Sequence, residues 1–110
     1  MAIDSTDTVD SIGIDPTSDE VLLTISDHLD WKGDDKEHML LLQEKVNSYL
    51  RFIESGEIYR KYPQAKGKAF VINIMGKFSP NEYANLFLKK IETLLHEAGY
   101  KLRFEQILTN

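Results

Sequence analysis

Two stretches with helical apolar spacing, set among short stretches with strand spacing, constrain this chain more than any other feature. In the first, Met39, Leu42, Val46, Tyr49, Leu50 and Ile53 recur at three- and four-residue steps between Asp35 and Ser55. That spacing lines up one face of a helix. Asp34 can cap it, Glu37 follows three residues on, and Gly56 is a stop. The second has the clearest start in the chain. Ser79 reads as the N-cap, Pro80 as the first helical residue and Glu82 as the partner in a capping box. Phe78 before the cap can staple onto Tyr83. Tyr83, Phe87, Ile91, Leu94, Leu95 and Ala98 form the expected buried stripe, and Gly99 ends it.

Around these helices lie four segments with period-two patterning. Ile12 and Ile14 stand two apart within Val9–Asp15. Asp15-Pro16-Thr17-Ser18-Asp19 reads as a turn, and Val21, Leu23 and Ile25 alternate after it, so the pair predicts a hairpin. Phe70, Ile72, Ile74 and Phe78 share one face of a third strand, with Val71, Asn73, Met75 and Lys77 on the other. Lys101–Leu108 alternates Leu102, Phe104 and Gln106 against Arg103, Glu105 and Ile107. Gly56–Lys68 reads as a long basic-aromatic loop. The order β-β-α-β-α-β predicts an α+β fold. It is a two-layer sandwich, with two helices packed on one face of a four-stranded sheet and the other face open. Residues 1–8 are polar and aperiodic and read as a flexible N-terminus, and residues 9–110 as a single α+β domain.

Composition removes several function classes. There is no Cys among the 110 residues, which excludes disulfides, thiol catalysis and Cys-based zinc sites. No apolar run approaches the roughly 18 residues of a membrane span. The acidic start lacks the basic and apolar regions of a signal peptide, so the expected compartment is the cytoplasm. The net charge of −5 is unevenly placed: residues 1–37 hold eleven acids and two bases, and the remainder seven acids and eleven bases. Such polarity makes a directional field if the acids stay together in space.

The chemical motifs mostly fail. Ser26, Asp27 and His28 are adjacent, and strand neighbours point to opposite faces, so they form no triad. Gly67-Lys68 precedes a strand, the wrong order for a phosphate loop. His28, Asp30, Asp34 and His38 have a spacing that could hold a divalent ion, which makes a small metal-dependent enzyme or metal-binding domain the alternative reading. Tyr59, Arg60, Lys61, Tyr62, Lys66 and Lys68 interleave bases with aromatics, but the overall acidity opposes direct nucleic-acid binding. Protein recognition fits best. Asp27, Asp30, Asp34, Asp35 and Glu37 surround Trp31, a binding centre suited to a basic protein surface. Trp31 could equally fold inward over the end of the sheet. Leu41, Phe52 and Leu86 lie off the two helical stripes.

The stretch Thr24-Ile25-Ser26-Asp27-His28-Leu29-Asp30-Trp31, then Leu40-Leu41-Leu42-Gln43-Glu44-Lys45-Val46-Asn47 and Phe52-Ile53-Glu54-Ser55-Gly56, resembles a family of small bacterial proteins with no established catalytic motif. In size, acidity and lack of enzyme signatures the chain is also similar to the immunity proteins of contact-dependent inhibition and polymorphic toxin systems. That similarity implies a non-enzymatic, cytoplasmic protein that binds one cognate toxin domain, often a nuclease. It implies no cofactor, no resident metal, no direct contact with nucleic acid and no membrane anchor. A homodimer joined through a sheet edge or through the Leu41/Phe52 strip is a further reading.

Overall fold

A computed structural model of the chain describes residue 3 and residues 9–32 and 35–107, with the backbone alone at residue 35. The order is β1 (Ser11–Ile14), β2 (Val21–Asp27), α1 (Asp35–Glu54), α2 (Glu57–Lys61), β3 (Phe70–Gly76), α3 (Glu82–Glu97) and β4 (Lys101–Gln106). The fold is α+β, with the four strands in one mixed sheet ordered β1-β2-β3-β4. β1 and β2 form the expected antiparallel hairpin, with Ile12 opposite Leu23. Asp15 closes its turn by accepting the Thr17 N–H on Oδ1 at 2.8 Å, the local bond that fits Asp to turns. β2, β3 and β4 are parallel, with Ile25, Ile74 and Phe104 in register across them. Parallel neighbours need a crossover, and α1 and α3 supply the two.

β2 follows strict alternation. Val21, Leu23, Ile25 and Asp27 are buried while Leu22, Thr24 and Ser26 are half-buried. Phe70, Ile72 and Ile74 continue the same buried rows on β3. Gly76 ends that row because Phe104 lies over it: a Cβ there would fall 2.7 Å from the ring. α1 buries Leu42, Val46, Tyr49 and Ile53 as its spacing predicts, and half-buries Met39 and Leu50. Gly56 stops it in a left-handed conformation, φ +82°, which costs a glycine little. Among the described residues no helix is long and apolar enough to cross a membrane. Of the expected flexible N-terminus, residues 1, 2 and 4–8 lie outside the described ones. Ile3 is fully buried and donates its N–H to the Ser26 carbonyl at 3.0 Å.

Three local expectations need correction. Gly56–Lys68 is not a plain loop: it holds α2 and a short 3-10 turn at Pro63–Ala65. Ile58 and Ala65 anchor it in the core, two apolar residues that its basic composition obscured. The cap of α3 is Asn81, not Ser79. Asn81 Oδ1 accepts the Ala84 N–H at 2.8 Å, and Ser79 instead donates to Gln106 Oε1 at 2.6 Å. Finally, α3 buries Ala84, Leu88, Ile91 and Leu95, while Tyr83 and Leu94 are 71% and 66% exposed and Ala98 is also exposed. The helix carries two adjacent apolar lines. Helical spacing alone does not say which of them turns inward, and the one that begins at Ala84 does.

Candidate functional site

The three parallel strands end together, with Asp27 beside Gly76 and Gly76 beside Gln106. In open sheets with parallel strands, ligands meet the carboxyl ends of the strands and the loops beyond them. Here the described residues beyond the strand ends are 28–32 and 77–81, ahead of the starts of α1 and α3.

Asp27 is the last residue of β2, and the alternation of that strand turns it inward. Its Oδ1 accepts the Leu29 N–H at 3.1 Å, and its Oδ2 lies 2.6 Å from His38 Nε2. His38, one turn into α1, places Nδ1 2.9 Å from the Asp30 carbonyl oxygen. A carbonyl oxygen can only accept, so Nδ1 carries a hydrogen. The contact between Nε2 and Oδ2 is then a single hydrogen bond. Trp31 stacks on the imidazole, with centroids 3.5 Å apart and planes 17° from parallel. The Trp31 carbonyl accepts from Asn81 Nδ2 at 2.7 Å, which ties this cluster to the cap of α3. The Asp27 carbonyl accepts the Lys77 N–H at 2.9 Å. The end of β2, the start of α1, the exit of β3 and the start of α3 are thus joined by one set of bonds.

Asp27, His38 and Trp31 are 2%, 3% and 4% exposed. Asp27 and Trp31 are therefore internal, and Trp31 takes the inward course as a ring packed on His38. Asp30 and Glu37 are exposed. Asp34 and the side chain of Asp35 lie outside the described residues. The metal alternative meets a related arrangement: His28 and Asp30 are exposed, while both ring nitrogens of His38 are engaged. Among the described residues no three His, Asp or Glu side chains converge as metal ligands do.

Beside the buried cluster lies a shallow depression of about 490 Å³. Leu29, Leu41 and Phe78 give it apolar surface, and Asp30, Glu37, His28 and the cationic Lys32 give it polar rims. Lys77 Nζ sits 5.6 Å from the centroid of the Phe78 ring. This end of the molecule can present carboxylates around apolar contact area. The Asp27–His38 contact itself is shielded from this surface.

The other described amino-terminal acids pair with cations of the same chain. Asp10 Oδ1 meets the fully buried Lys45 Nζ at 2.9 Å, and its Oδ2 accepts the Ser26 N–H at 2.9 Å. Tyr49 accepts the Asp10 N–H at 2.8 Å and donates to the Thr24 carbonyl at 2.6 Å. Burial pushes the Tyr49 phenol well above its ordinary value. At the opposite end of the sheet, Asp19 meets Lys68 at 2.8 Å, Glu20 meets Lys101 at 2.7 Å and Asp15 lies 3.6 Å from Arg103. The bond from Lys101 holds the Glu20 carboxyl below the usual range. The Thr17 N–H does most to lower that of Asp15.

Periodicity could have signalled that two polar residues are buried. His38, Leu42, Lys45 and Tyr49 fall on one helical line, so a buried His and a buried Lys were implied wherever Leu42 and Tyr49 were. Their partners, Asp27 and Asp10, are set by the sheet and are not visible in α1.

The profile of the Family of unknown function (DUF6572) matches residues 1–108 of the chain. No curated protein and no solved structure matches it.

Proposed function

We propose, from the premise that the chain belongs to the DUF6572 family of unknown function, that it is a non-enzymatic binding protein that neutralises a cognate bacterial toxin, a basic nuclease, by covering its active or substrate-binding surface. The observation that carries this reading is the depression at the carboxyl ends of the parallel strands. Its acid–base pair is closed upon itself, while Asp30 and Glu37 reach solvent around Leu29, Leu41 and Phe78. Carboxylates of this kind can stand where a nuclease holds substrate phosphates, and Arg or Lys of the toxin would gain charge-assisted bonds there. Apolar contact at the centre with charge at the rim is the usual anatomy of a recognition surface.

The sequence-based set of contact residues divides accordingly. Asp30 and Glu37 form the acidic rim. Phe78 takes the place of Trp31 as the apolar contact. Asp27 and Trp31 hold the loop in shape from within. In this reading both long helices cover one face of the sheet. Two observations support that arrangement: each helix joins neighbouring parallel strands in the same direction of travel, where crossovers are right-handed, and α1 and α3 line a common groove through Val46, Leu50, Phe87 and Ile91. The protein would act in the cytoplasm, on a toxin already inside the cell.

The expected genomic neighbour is a large secreted protein with a variable, basic carboxyl-terminal domain. That domain, expressed alone in a bacterial host, should stop growth and degrade nucleic acid, and co-expression of this chain should restore growth. Asp30→Asn combined with Glu37→Gln should weaken the protection. Absence of such a neighbour, or unprotected cells despite soluble expression of the chain, would contradict the reading.

A further inference from the structure

We infer that the outer edge of β4 is a dimerisation edge, on which a second copy of this chain pairs antiparallel, centred on Phe104. This inference is independent of toxin binding and uses a different part of the molecule. Among the described residues β4 is the last strand of the sheet, paired to β3 on one side. Ile107 donates its N–H to the Gly76 carbonyl at 2.8 Å. Backbone direction alternates along a strand, so the odd-numbered residues turn their amides toward β3. Leu102, Phe104 and Gln106 then turn N–H and C=O outward.

Exposed edges of this kind invite pairing unless they are short, bulged, interrupted by proline or blunted by charges that find no partner across the edge. β4 is six residues long with no Pro or Gly, whereas β1 at the other edge has four residues, one of them Gly13, and leads into Pro16. The edge is also open in space. The Phe104 ring leans back over Gly76, and a groove of about 580 Å³ lies between α3 and the start of β4, lined by Glu92, Thr93, His96, Tyr100 and Leu102.

Charge selects both the occupant and the register. In a twofold antiparallel pair, each residue i meets one residue j of the partner, and j meets i in return. Centring the pair on Phe104 sets Arg103 opposite the partner's Glu105, and Glu105 opposite the partner's Arg103. It also lets the outward groups of Leu102, Phe104 and Gln106 form about six hydrogen bonds in the regular antiparallel pattern. Moving the centre to Arg103 would put two arginines face to face, and moving it to Glu105 would do the same to two glutamates. Opposite charges directly across a strand pair stabilise it and like charges do the reverse. Arg103 is 37% and Glu105 49% exposed, and the ion pairs that Arg103 makes within the chain are long, 3.6 Å to Asp15 and 3.7 Å to Glu105. The product is a continuous eight-stranded sheet.

The test is sedimentation equilibrium of the full chain from low micromolar to submillimolar concentration. Wild type should dimerise. Arg103→Glu or Glu105→Arg alone should weaken the dimer roughly ten- to thirtyfold, because each turns both attractive pairs repulsive. Mixing the two variants should restore a dimer, in which every facing pair is again opposite in charge. Circular dichroism and urea unfolding check that each variant folds. Should one of them not fold, the double exchange Arg103→Glu with Glu105→Arg, which keeps every pair attractive, must dimerise as wild type does. A monomer throughout the range would overturn the inference, as would a dimer indifferent to the single reversals or two variants that fail to pair on mixing.

Discussion

Tyr49 shows how single residues carry this fold. Its hydroxyl bridges two elements distant in sequence, accepting from the Asp10 amide and donating to the Thr24 carbonyl, beside the Lys45–Asp10 pair. Tyr49→Phe keeps the ring but strands one buried donor and one buried acceptor. The expected loss is about 1–3 kcal/mol at neutral pH, measured by urea unfolding. The same residue sets an alkaline limit. Burial raises the phenol above the ordinary tyrosine value, so the fold favours the neutral form. Its contribution is intact below about pH 10, the unfolded value, and is lost as pH rises toward the folded one. Wild type should therefore lose stability more steeply above that pH than Tyr49→Phe. Equal slopes would mean that the phenol does not couple folding to pH.

At the scale of elements, the start of α3 separates what local sequence encodes from what packing decides. Ser79-Pro80-Asn81-Glu82 contains two residues able to cap, and the Ser79 reading is locally sound. Asn81 takes the role because its amide does two jobs, accepting from Ala84 and donating to the Trp31 carbonyl. Asn81→Ala should cost about 1 kcal/mol or more for the cap, with a further loss for the bond to Trp31. Ser79→Ala should cost less, since its partner is the exposed Gln106 side chain. Thermal unfolding of the two variants decides the assignment, and the reverse order of losses would return the cap to Ser79. Strand positions, the hairpin and α1 were legible because period-two and period-3.6 patterns are local. Parallel pairing of β2, β3 and β4 was not, since strand order depends on crossovers between segments. The buried line of α3 was not legible either, because Tyr83 and Leu94 are as apolar as the residues that turned inward.

For the whole molecule, the charge asymmetry of the sequence is largely an internal match. Asp10, Asp15, Asp19, Glu20 and Asp27 from the acidic third meet Lys45, Arg103, Lys68, Lys101 and His38 from the remainder. The sequence revealed the imbalance but not its cancellation, because each pair spans elements that only the sheet brings together. Among the described acids of that third outside these pairs, Asp30 and Glu37 are left exposed, beside a loop held from within by Asp27, His38 and Trp31. Hydrogen exchange of this chain with and without its cognate toxin domain tests their assignment to a partner most directly. Amides of residues 28–41 and 77–82 should become protected in the complex, while those around Asp15, Asp19 and Glu20 stay unchanged. Protection confined to the Asp15–Glu20 end, or to any surface away from the depression, would contradict it.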